Sequence, residues 1–148
     1  YSIREVASVE DISNASVLLF PGVGAFGSAA ETLERSGFAG PLKAYLAADR
    51  PFMGICIGMQ MLFEGSEESP GSRGLAVIPG QVRRFSSSSS GGPERLAVPH
   101  MGWNGLQRRA GLPADSPLAH LSDSDRAYFV HSYRAEVTDA NREWVAAE

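Results

Sequence analysis

Two apolar runs divide the first half of the chain. Residues 17–20 are continuously hydrophobic rather than alternating, which predicts a fully buried strand, and residues 52–55 predict a second short buried strand. Each run is followed by a glycine-containing turn and then by a helical pattern. The strand–helix–strand–helix order predicts an α/β fold with a mostly parallel, twisted sheet and helices on both of its faces.

Three helices are predicted between and after these strands. Ser28 and Glu31 have the spacing of a capping box, which predicts that the first helix starts at Ser28. Gly37 is a suitable residue to end it. A second helix is expected from Pro41, a residue that is tolerated in a first turn, and a third over residues 57–64. The apolar stripe of the second helix comprises Leu42, Tyr45 and Leu46.

The second half of the chain has a different pattern, with short strands joined by loops. Five serines, two glycines and a proline predict a flexible loop over residues 86–93. The length of 148 residues fits one domain, so residues 1–148 are assigned to a single, partial domain. Strands are expected at residues 75–78, 82–85, 96–98 and 127–130, with a further strand from Val137.

The composition argues against several classes of protein. Thirteen basic and seventeen acidic residues give a formal net charge of −4, which does not favour a nucleic-acid-binding surface. No apolar run approaches the roughly 20 residues that a membrane span needs. The single cysteine leaves no intrachain disulfide and favours a reduced, intracellular setting.

That cysteine lies in a pattern typical of a nucleophile. Residues 54–58 read Gly-Ile-Cys-Ile-Gly at the junction of a predicted strand and a predicted helix. In such an elbow the chain turns sharply, and the glycines remove side chains that would clash. Cys56 would then begin a helix, which favours the thiolate, and the N–H of Ile57 would face an oxyanion. A buried structural cysteine is the alternative interpretation.

The glycine-rich turn after the first strand has the form of a dinucleotide-binding fingerprint. Residues 22–27 read G-x-G-x-x-G between a strand and a helix. The fingerprint also expects an acidic residue at the end of the next strand, but that strand leads into Cys56, and Asp49 precedes it. A tight turn that needs glycine is therefore the favoured interpretation.

A thiolate nucleophile needs a base, usually a histidine that a carboxylate or amide orients. The chain has three histidines, and none is followed two positions later by an acidic residue: His100, His120 and His131. The sequence therefore favours structural or interfacial roles for them over catalysis.

Four segments together resemble the glutaminase part of imidazole glycerol phosphate synthase, one of the class I (triad) glutamine amidotransferases. The elbow suits many members of that class, whereas Pro-His-Met-Gly-Trp-Asn and its order with the other segments are more specific. The resemblance extends from about Val17 to Tyr133. Its segments are residues 21–27 (Pro-Gly-Val-Gly-Ala-Phe-Gly), 54–60 (Gly-Ile-Cys-Ile-Gly-Met-Gln), 99–104 (Pro-His-Met-Gly-Trp-Asn) and 128–133 (Tyr-Phe-Val-His-Ser-Tyr).

This resemblance implies an activity and a partner. The family hydrolyses glutamine to glutamate and ammonia, and the ammonia passes to a (β/α)8-barrel cyclase, either a separate subunit or a C-terminal fusion. The products there are imidazole glycerol phosphate and an aminoimidazole carboxamide ribotide, in histidine biosynthesis. No cofactor and no metal are implied.

The resemblance also implies roles for individual residues. Cys56 would attack the glutamine amide to form a thioester, with the oxyanion held by backbone N–H groups of Ile57 and of Val23 or Gly24. The implied glutamine-binding residues are Gly22, Gln60, Glu68 and the backbone around His131, Ser132 and Tyr133. The implied cyclase interface comprises Trp103, Tyr128, His100 and Asn104.

One part of the family's pattern is not found in these 148 residues. The family's base and its carboxylate partner lie in a His-Pro-Glu segment beyond the equivalent of Trp144, and its first strand precedes the equivalent of Tyr1. We therefore expect the 148 residues alone to hydrolyse glutamine very poorly and to expose sheet edges that favour aggregation. The full-length protein is expected to be active.

Three alternatives stay open on the sequence. One is a catalytically silent, truncated module that docks on a barrel partner. Another is a different elbow-type thiol hydrolase, such as a γ-glutamyl hydrolase or a Cys-dependent stress protein of related fold. The third is dinucleotide binding. The expected location is the cytoplasm, or a plastid if the source is a plant or alga.

Overall fold

The computed structural model describes residues 2–85, 97–114, 116–122 and 124–148. The predicted loop of residues 86–93 lies outside these ranges. The elements are α1 (Val9–Asn14), β1 (Leu18–Phe20), α2 (Phe26–Arg35), α3 (Ala39–Ala47), β2 (Phe52–Gly54), α4 (Ile57–Gln60), β3 (Gly65–Ser66), β4 (Gln81–Arg84), β5 (His100–Gly105), β6 (Arg126–His131), β7 (Tyr133–Ala135) and a 3₁₀ helix (Arg142–Trp144).

The first two strands confirm the predicted parallel arrangement. β1 and β2 pair in parallel, with Leu18 opposite Phe52, and α2 and α3 connect them. Leu18 lies in the core, but on the other face Leu19 is 54% and Met53 58% exposed. The prediction that these strands are fully buried is therefore wrong for the described residues, because nothing in that part of the chain covers the outer face.

The main core lies between the inner face of this strand pair and the helices. Tyr45 on α3 is buried in it, and its hydroxyl donates a hydrogen bond to the carbonyl oxygen of Pro51 at 2.8 Å. Leu42 is also buried and Leu46 partly buried, so the predicted apolar stripe of α3 is confirmed. The buried residues of this core are Ile12, Leu18, Phe26, Ala30, Ala39, Leu42, Tyr45, Ile57, Met61 and Leu75.

The predicted helix bounds are confirmed at the end of α2 and at the start of α4. At the end of α2, the N–H of Gly37 donates to Glu34 and that of Phe38 to Leu33, which confirms Gly37 as the terminating residue. However, α2 begins at Phe26, two residues before Ser28, and Ser28 caps nothing. Likewise, α3 begins at Ala39 rather than at Pro41, and α4 is a single turn that ends at Gln60.

The helix α1 was missed, although the sequence carries its signal. Ser8 accepts a hydrogen bond from the N–H of Asp11, and the carboxylate of Asp11 accepts one from the N–H of Ser8. These two bonds form a capping box. The pKa of Asp11 is lowered first by a hydrogen bond from the N–H of Ala7, and then by those from the N–H and the hydroxyl of Ser8.

The second half contains a mixed sheet and an antiparallel ladder. β4 pairs in parallel with β3 and antiparallel with β7, whereas β5 pairs antiparallel with β6. The strands predicted at 82–85 and 127–130 are therefore confirmed within a residue or two. The strand predicted from Val137 does not form, and β7 ends at Ala135. Of the strand predicted at residues 96–98, the described residues 97–98 are not in a strand.

No strand forms at residues 75–78, where one was predicted. The N–H groups of Leu75 and Val77 donate to the carbonyl oxygens of Met61 and Leu62, at 2.7 and 2.8 Å. Ala76 has a φ of 52°, which is incompatible with an extended strand. This segment therefore covers the end of α4 instead of joining a sheet. Over the described parts of the chain, no helix is long and apolar enough to cross a membrane.

Candidate functional site

Cys56 occupies a sharp turn between β2 and α4. Its backbone has φ 55° and ψ −114°, and its side chain is a free, exposed thiol. A residue with a side chain adopts such angles at a cost of about 1–3 kcal/mol, and such strain is concentrated at functional sites. The predicted nucleophile elbow is confirmed as a backbone geometry.

The two glycines of the elbow are required by close packing. A Cβ atom at Gly54 would lie 2.7 Å from the carbonyl carbon of Gly58, and one at Gly58 would overlap the carbonyl oxygen of Phe20. The same oxygen accepts a hydrogen bond from the N–H of Ile55 at 3.0 Å. The end of β1 and the elbow are therefore packed backbone against backbone.

The turn after Cys56 leaves one backbone donor available. The carbonyl oxygen of Cys56 accepts hydrogen bonds from the N–H groups of Met59 and Gln60, at 3.1 and 3.0 Å. The N–H of Ile57 begins α4 and has no acceptor among the described residues. This is the backbone donor that the sequence assigns to an oxyanion hole.

The glycine-rich loop, residues 22–25, lies beside the elbow. A Cβ atom at Gly22 would be 3.8 Å from Cβ of Ile57, so the two residues are in contact range. Val23 is 96% exposed, and Gly24 has a φ of 122°, which a residue with a side chain rarely adopts. Neither the Val23 nor the Gly24 N–H has an acceptor in the described chain, so both remain available to a ligand.

The start of α2 is capped by residues far along the chain. The N–H of Phe26 donates to Oε2 of Glu68 at 2.7 Å, and the N–H of Gly27 donates to Oγ of Ser69 at 3.0 Å. A carboxylate is favourable here because it faces the positive end of the helix. Together the Glu68 carboxylate and the Ser69 hydroxyl occupy N–H donors that a dinucleotide pyrophosphate would use. This argues against dinucleotide binding.

Sequence reasoning missed this cap, and no local signal reveals it. The capping residues are 42 positions away from the groups they cap. Glu68 was implied only as a glutamine-binding residue, and Ser69 had no assigned role.

Two of the implied glutamine-binding side chains retain unused polar atoms. Gln60 lies on α4, is buried, and its side-chain amide makes no hydrogen bond among the described residues. Glu68 uses Oε2 for the helix cap, and within the described part of the chain Oε1 accepts none. Both groups remain able to bind a polar ligand.

One face of the β5–β6 ladder exposes large apolar side chains. Trp103 pairs directly with Tyr128, their rings are 5.3 Å apart, and they are 68% and 53% exposed. The neighbouring pair on the same face, Met101 and Val130, is also exposed. We call these four residues the hairpin face. Such a contiguous apolar surface is typical of an interaction site.

His100 and Asn104 lie on the opposite face of β5, because side chains alternate along a strand. The Tyr133 carbonyl oxygen only accepts, so Nδ1 of His131 donates to it at 2.9 Å. Nε2 of His131 then accepts from Nδ1 of His100 at 3.1 Å, and Nε2 of His100 accepts from Asn104 at 2.5 Å. The structure therefore separates the four implied interface residues onto two faces.

The implied pocket residues on β6 and β7 are not joined to the elbow by any described hydrogen bond. The backbone of Ser132 instead accepts a hydrogen bond from the N–H of Phe85 at 3.0 Å. A place for His131, Ser132 and Tyr133 in the glutamine pocket stays a prediction. No histidine in the described chain hydrogen-bonds to Cys56.

The acidic residues after α4 are engaged with the backbone. Glu64 accepts from the N–H of Gly80 at 2.9 Å. Glu67 accepts from the N–H of Arg84 and from the Arg83 guanidinium, and these bonds, the first being the larger cause, hold its pKa below the usual value. In the residues that the structure describes, no group of three or more potential metal ligands gathers.

The fold and the elbow together define a class, that of α/β proteins with a cysteine at a sharp strand-to-helix turn. Comparison with known proteins specifies the family. The sequence model of Glutamine amidotransferase class-I matches residues 1–148. The chain belongs to this family.

Imidazole glycerol phosphate synthases are among the proteins similar to this chain. The chain is 46% identical over 147 residues to the chloroplastic hisHF protein of Arabidopsis thaliana, covering 99% of this chain and 23% of that protein. It is 45% identical over 137 residues to subunit HisH of Deinococcus radiodurans, covering 92% of this chain and 60% of the subunit. The chain therefore spans only part of the relatives it matches.

A solved structure supports the fold. A protein described as "Crystal structure of glutamine amidotransferase" matches with a TM-score of 0.53 and 17% identity, over 71% of this chain and 51% of that one. This match agrees with the predicted α/β class, here with the strands in three small sheets.

Proposed function

We propose that this chain is the nucleophile-bearing part of a glutaminase that supplies ammonia to an imidazole glycerol phosphate synthase. The observation that carries the proposal is the strained, exposed Cys56 in an elbow whose two glycines are sterically required. The names of the relatives support the particular pathway. The same geometry would also serve other thiol hydrolases, so the substrate rests on the family and its relatives.

The proposed reaction begins with attack of the Cys56 sulfur on the side-chain carbonyl carbon of glutamine. The carbonyl oxygen gains negative charge, which the N–H groups of Ile57 and of Val23 or Gly24 stabilise. The tetrahedral intermediate then releases ammonia by breaking the C–N bond and leaves a thioester. Water hydrolyses the thioester to glutamate and the free thiol.

The proton steps require a base and acid that the described residues do not place at Cys56. His100 and His131 are occupied with each other, Asn104 and a backbone carbonyl oxygen. The named relatives are longer than this chain, and we assign the base to their additional sequence. The 148 residues alone are accordingly expected to turn over glutamine very slowly.

Glutamine is proposed to bind through its amino-acid end. Oε1 of Glu68 would accept from the α-ammonium, and the amide of buried Gln60 would contact the same end of the substrate. Gly22 would line the pocket, together with the backbone of residues 131–133.

The proposed partner is a (β/α)8 cyclase, as a separate subunit or as a fused domain. The hairpin face is proposed as the docking surface, because it exposes two aromatic and two aliphatic side chains together. The names of the relatives, a subunit and a hisHF protein, support such a partner. A plastid location is proposed only if the source is a plant or alga, as one relative is named chloroplastic.

The test measures glutamate and ammonia formation by the full-length protein, with and without its cyclase. Glutamine hydrolysis is expected, faster with the cyclase, and Cys56→Ala is expected to lower kcat by roughly 10³-fold or more. Cys56→Ser is the matched control for shape, and circular dichroism should show both variants folded.

Other outcomes would favour the alternatives. Hydrolysis of γ-glutamyl peptides without hydrolysis of free glutamine would indicate a γ-glutamyl hydrolase. Cyclase binding without any hydrolysis would indicate a catalytically silent docking module.

A further inference from the structure

The glycine-rich loop is fixed at both ends and free in the middle. Before it, Phe20 accepts a hydrogen bond from the elbow residue Ile55 at 3.0 Å. After it, the N–H groups of Phe26 and Gly27 are held by side chains of residues 68–69. Between these points Val23 is almost fully exposed, and a Cβ atom at Gly24 would meet no heavy atom within 4 Å. The position of the loop therefore depends on its two attachments.

The second attachment is a close contact between Gly27 and Ser69. Oγ of Ser69 accepts from the N–H of Gly27 at 3.0 Å. A Cβ atom at Gly27 would lie 2.8 Å from that oxygen, 3.0 Å from Cβ of Ser69 and 3.1 Å from Oγ of Ser72. Because a Cβ atom at Gly27 would crowd both serine side chains, the start of α2 is packed closely against the segment that carries Ser69.

That segment is itself connected to the elbow helix. The N–H of Glu68 donates to Oγ of the buried Ser66 at 3.2 Å. A few residues on, the N–H of Gly74 donates to the carbonyl oxygen of Glu64 at 3.0 Å, and that of Leu75 donates to Met61 at 2.7 Å. Hydrogen bonds thus hold residues 74–75 to the chain after Cys56, and others hold the end of the glycine-rich loop to residues 68–69. The short chain between residues 69 and 74 joins the two sets.

We propose that Ser69 is a positioning residue for the oxyanion hole. Its hydroxyl holds Gly27, and thereby sets where the Val23 and Gly24 N–H groups lie relative to the Cys56 sulfur. Glu68 holds the adjacent N–H of Phe26 with one carboxylate oxygen. Since the other carboxylate oxygen is the proposed site of the substrate ammonium, Glu68 would contact both the bound glutamine and the end of the glycine-rich loop. This inference rests on the proposed glutaminase function.

The test compares Ser69→Ala with Ser69→Thr in the full-length protein with its cyclase. Ser69→Ala removes the acceptor and is expected to lower kcat for glutamine hydrolysis about tenfold, with KM within about twofold, because the loop donors act on the transition state. Ser69→Thr keeps a hydroxyl and is expected to retain most of kcat. Ser72→Ala is the matched control, since it removes a neighbouring serine hydroxyl with no described side-chain hydrogen bond, and it should resemble the wild type.

Amide hydrogen exchange provides a readout that does not depend on catalysis. In Ser69→Ala, a peptide that covers residues 21–27 should exchange about tenfold faster, while one that covers residues 57–62 should be unchanged. The proposal is overturned if kcat of Ser69→Ala is unchanged, or if only KM rises. It is also overturned if Ser69→Thr does not restore kcat, or if Ser72→Ala lowers kcat as much as Ser69→Ala does.

Failure of the proposed function would be distinguishable from failure of this inference. If the wild type shows no Cys56-dependent hydrolysis while loop exchange rises in Ser69→Ala, the glutaminase proposal is refuted and the attachment stands. If the wild type is active and loop exchange does not rise, the positioning role is refuted and the glutaminase stands.

Discussion

Gly58 packs so closely on the carbonyl group of Phe20 that no Cβ atom fits between them. The Phe20 oxygen also accepts the hydrogen bond that connects the end of β1 to Ile55. One backbone carbonyl therefore fixes the position of the elbow from two directions. Cys56 is positioned by the parallel strand pair rather than by α4, which is a single turn.

The replacement Gly58→Ala is accordingly expected to destabilise the full-length protein by about 3 kcal/mol or more, because backbone must move to admit the methyl group. Urea unfolding would measure this change. Gly40→Ala is the matched control, because a Cβ atom there meets no residue other than its chain neighbours within 4 Å. It should change stability by no more than about 1 kcal/mol, because Pro41 opposes the helix preference of alanine at the position before it. Equal stability of the two variants would contradict the packing argument.

Replacement of Cys56 by glycine is expected to separate stability from activity. At φ 55° and ψ −114°, glycine relieves strain that alanine keeps. Cys56→Gly should therefore be more stable than Cys56→Ala by about 1 kcal/mol, net of the greater freedom of glycine in the unfolded chain. Chemical unfolding of both variants measures the difference, and neither should hydrolyse glutamine. An alanine variant as stable as the glycine variant would show that the elbow is not strained.

Glu67 is expected to make stability depend on pH. Its pKa is lowered from 4.5 by the N–H of Arg84 and then by Arg83, so the folded state favours the carboxylate. The stabilisation is present above the unfolded-state pKa and is lost as pH falls through the lower folded-state pKa. At pH 7 the free energy of unfolding of the wild type should therefore exceed that of Glu67→Gln. The two free energies should converge as the pH falls below about 4.5.

The control for this experiment is Glu31→Gln. It also removes one negative charge, but from an exposed pair with Arg35 at 3.6 Å. Such pairs contribute little, so its free energy of unfolding should follow that of the wild type across the acid range. If the free energies of unfolding of the wild type and Glu67→Gln do not converge at acid pH, the stabilising role of the Glu67 carboxylate is contradicted.

Trp103 is expected to dominate cyclase binding by the hairpin face. Trp103→Ala should weaken the complex by about 2 kcal/mol, roughly 30-fold, because large aromatic anchors carry most of the energy of an interface. Titration calorimetry with the separate cyclase subunit, or domain dissociation in a fused protein, would measure it. Trp144→Ala removes an equally large, exposed side chain outside the hairpin face and should bind normally. Unchanged affinity in Trp103→Ala would place the interface elsewhere.

What the sequence predicted correctly was encoded locally. Gly54, Cys56 and Gly58 lie within five residues, so their spacing alone specifies the elbow. Gly37 likewise ends α2, where its own N–H donates to Glu34 and the N–H of Phe38 donates to Leu33. Each of these features needs only neighbours in the chain.

What the sequence did not predict depends on distant partners. Ser28 and Glu31 have capping-box spacing, yet α2 starts earlier because Glu68 and Ser69 supply its cap from 42 residues away. Residues 75–78 have strand composition, yet their N–H groups bond to the end of α4. The two faces of the hairpin could have been anticipated from alternation along β5, which separates His100 from Trp103.

Chemical labelling of Cys56 tests most directly whether its thiol is the nucleophile. The full-length protein would be treated with a glutamine-analogue electrophile such as diazo-oxo-norleucine, with and without the liganded cyclase, and mapped by mass spectrometry. We predict an adduct on Cys56 that forms faster with the liganded partner and is absent in Cys56→Ser. No adduct on Cys56 under any condition would mean that the elbow is a scaffold rather than the site of a nucleophile.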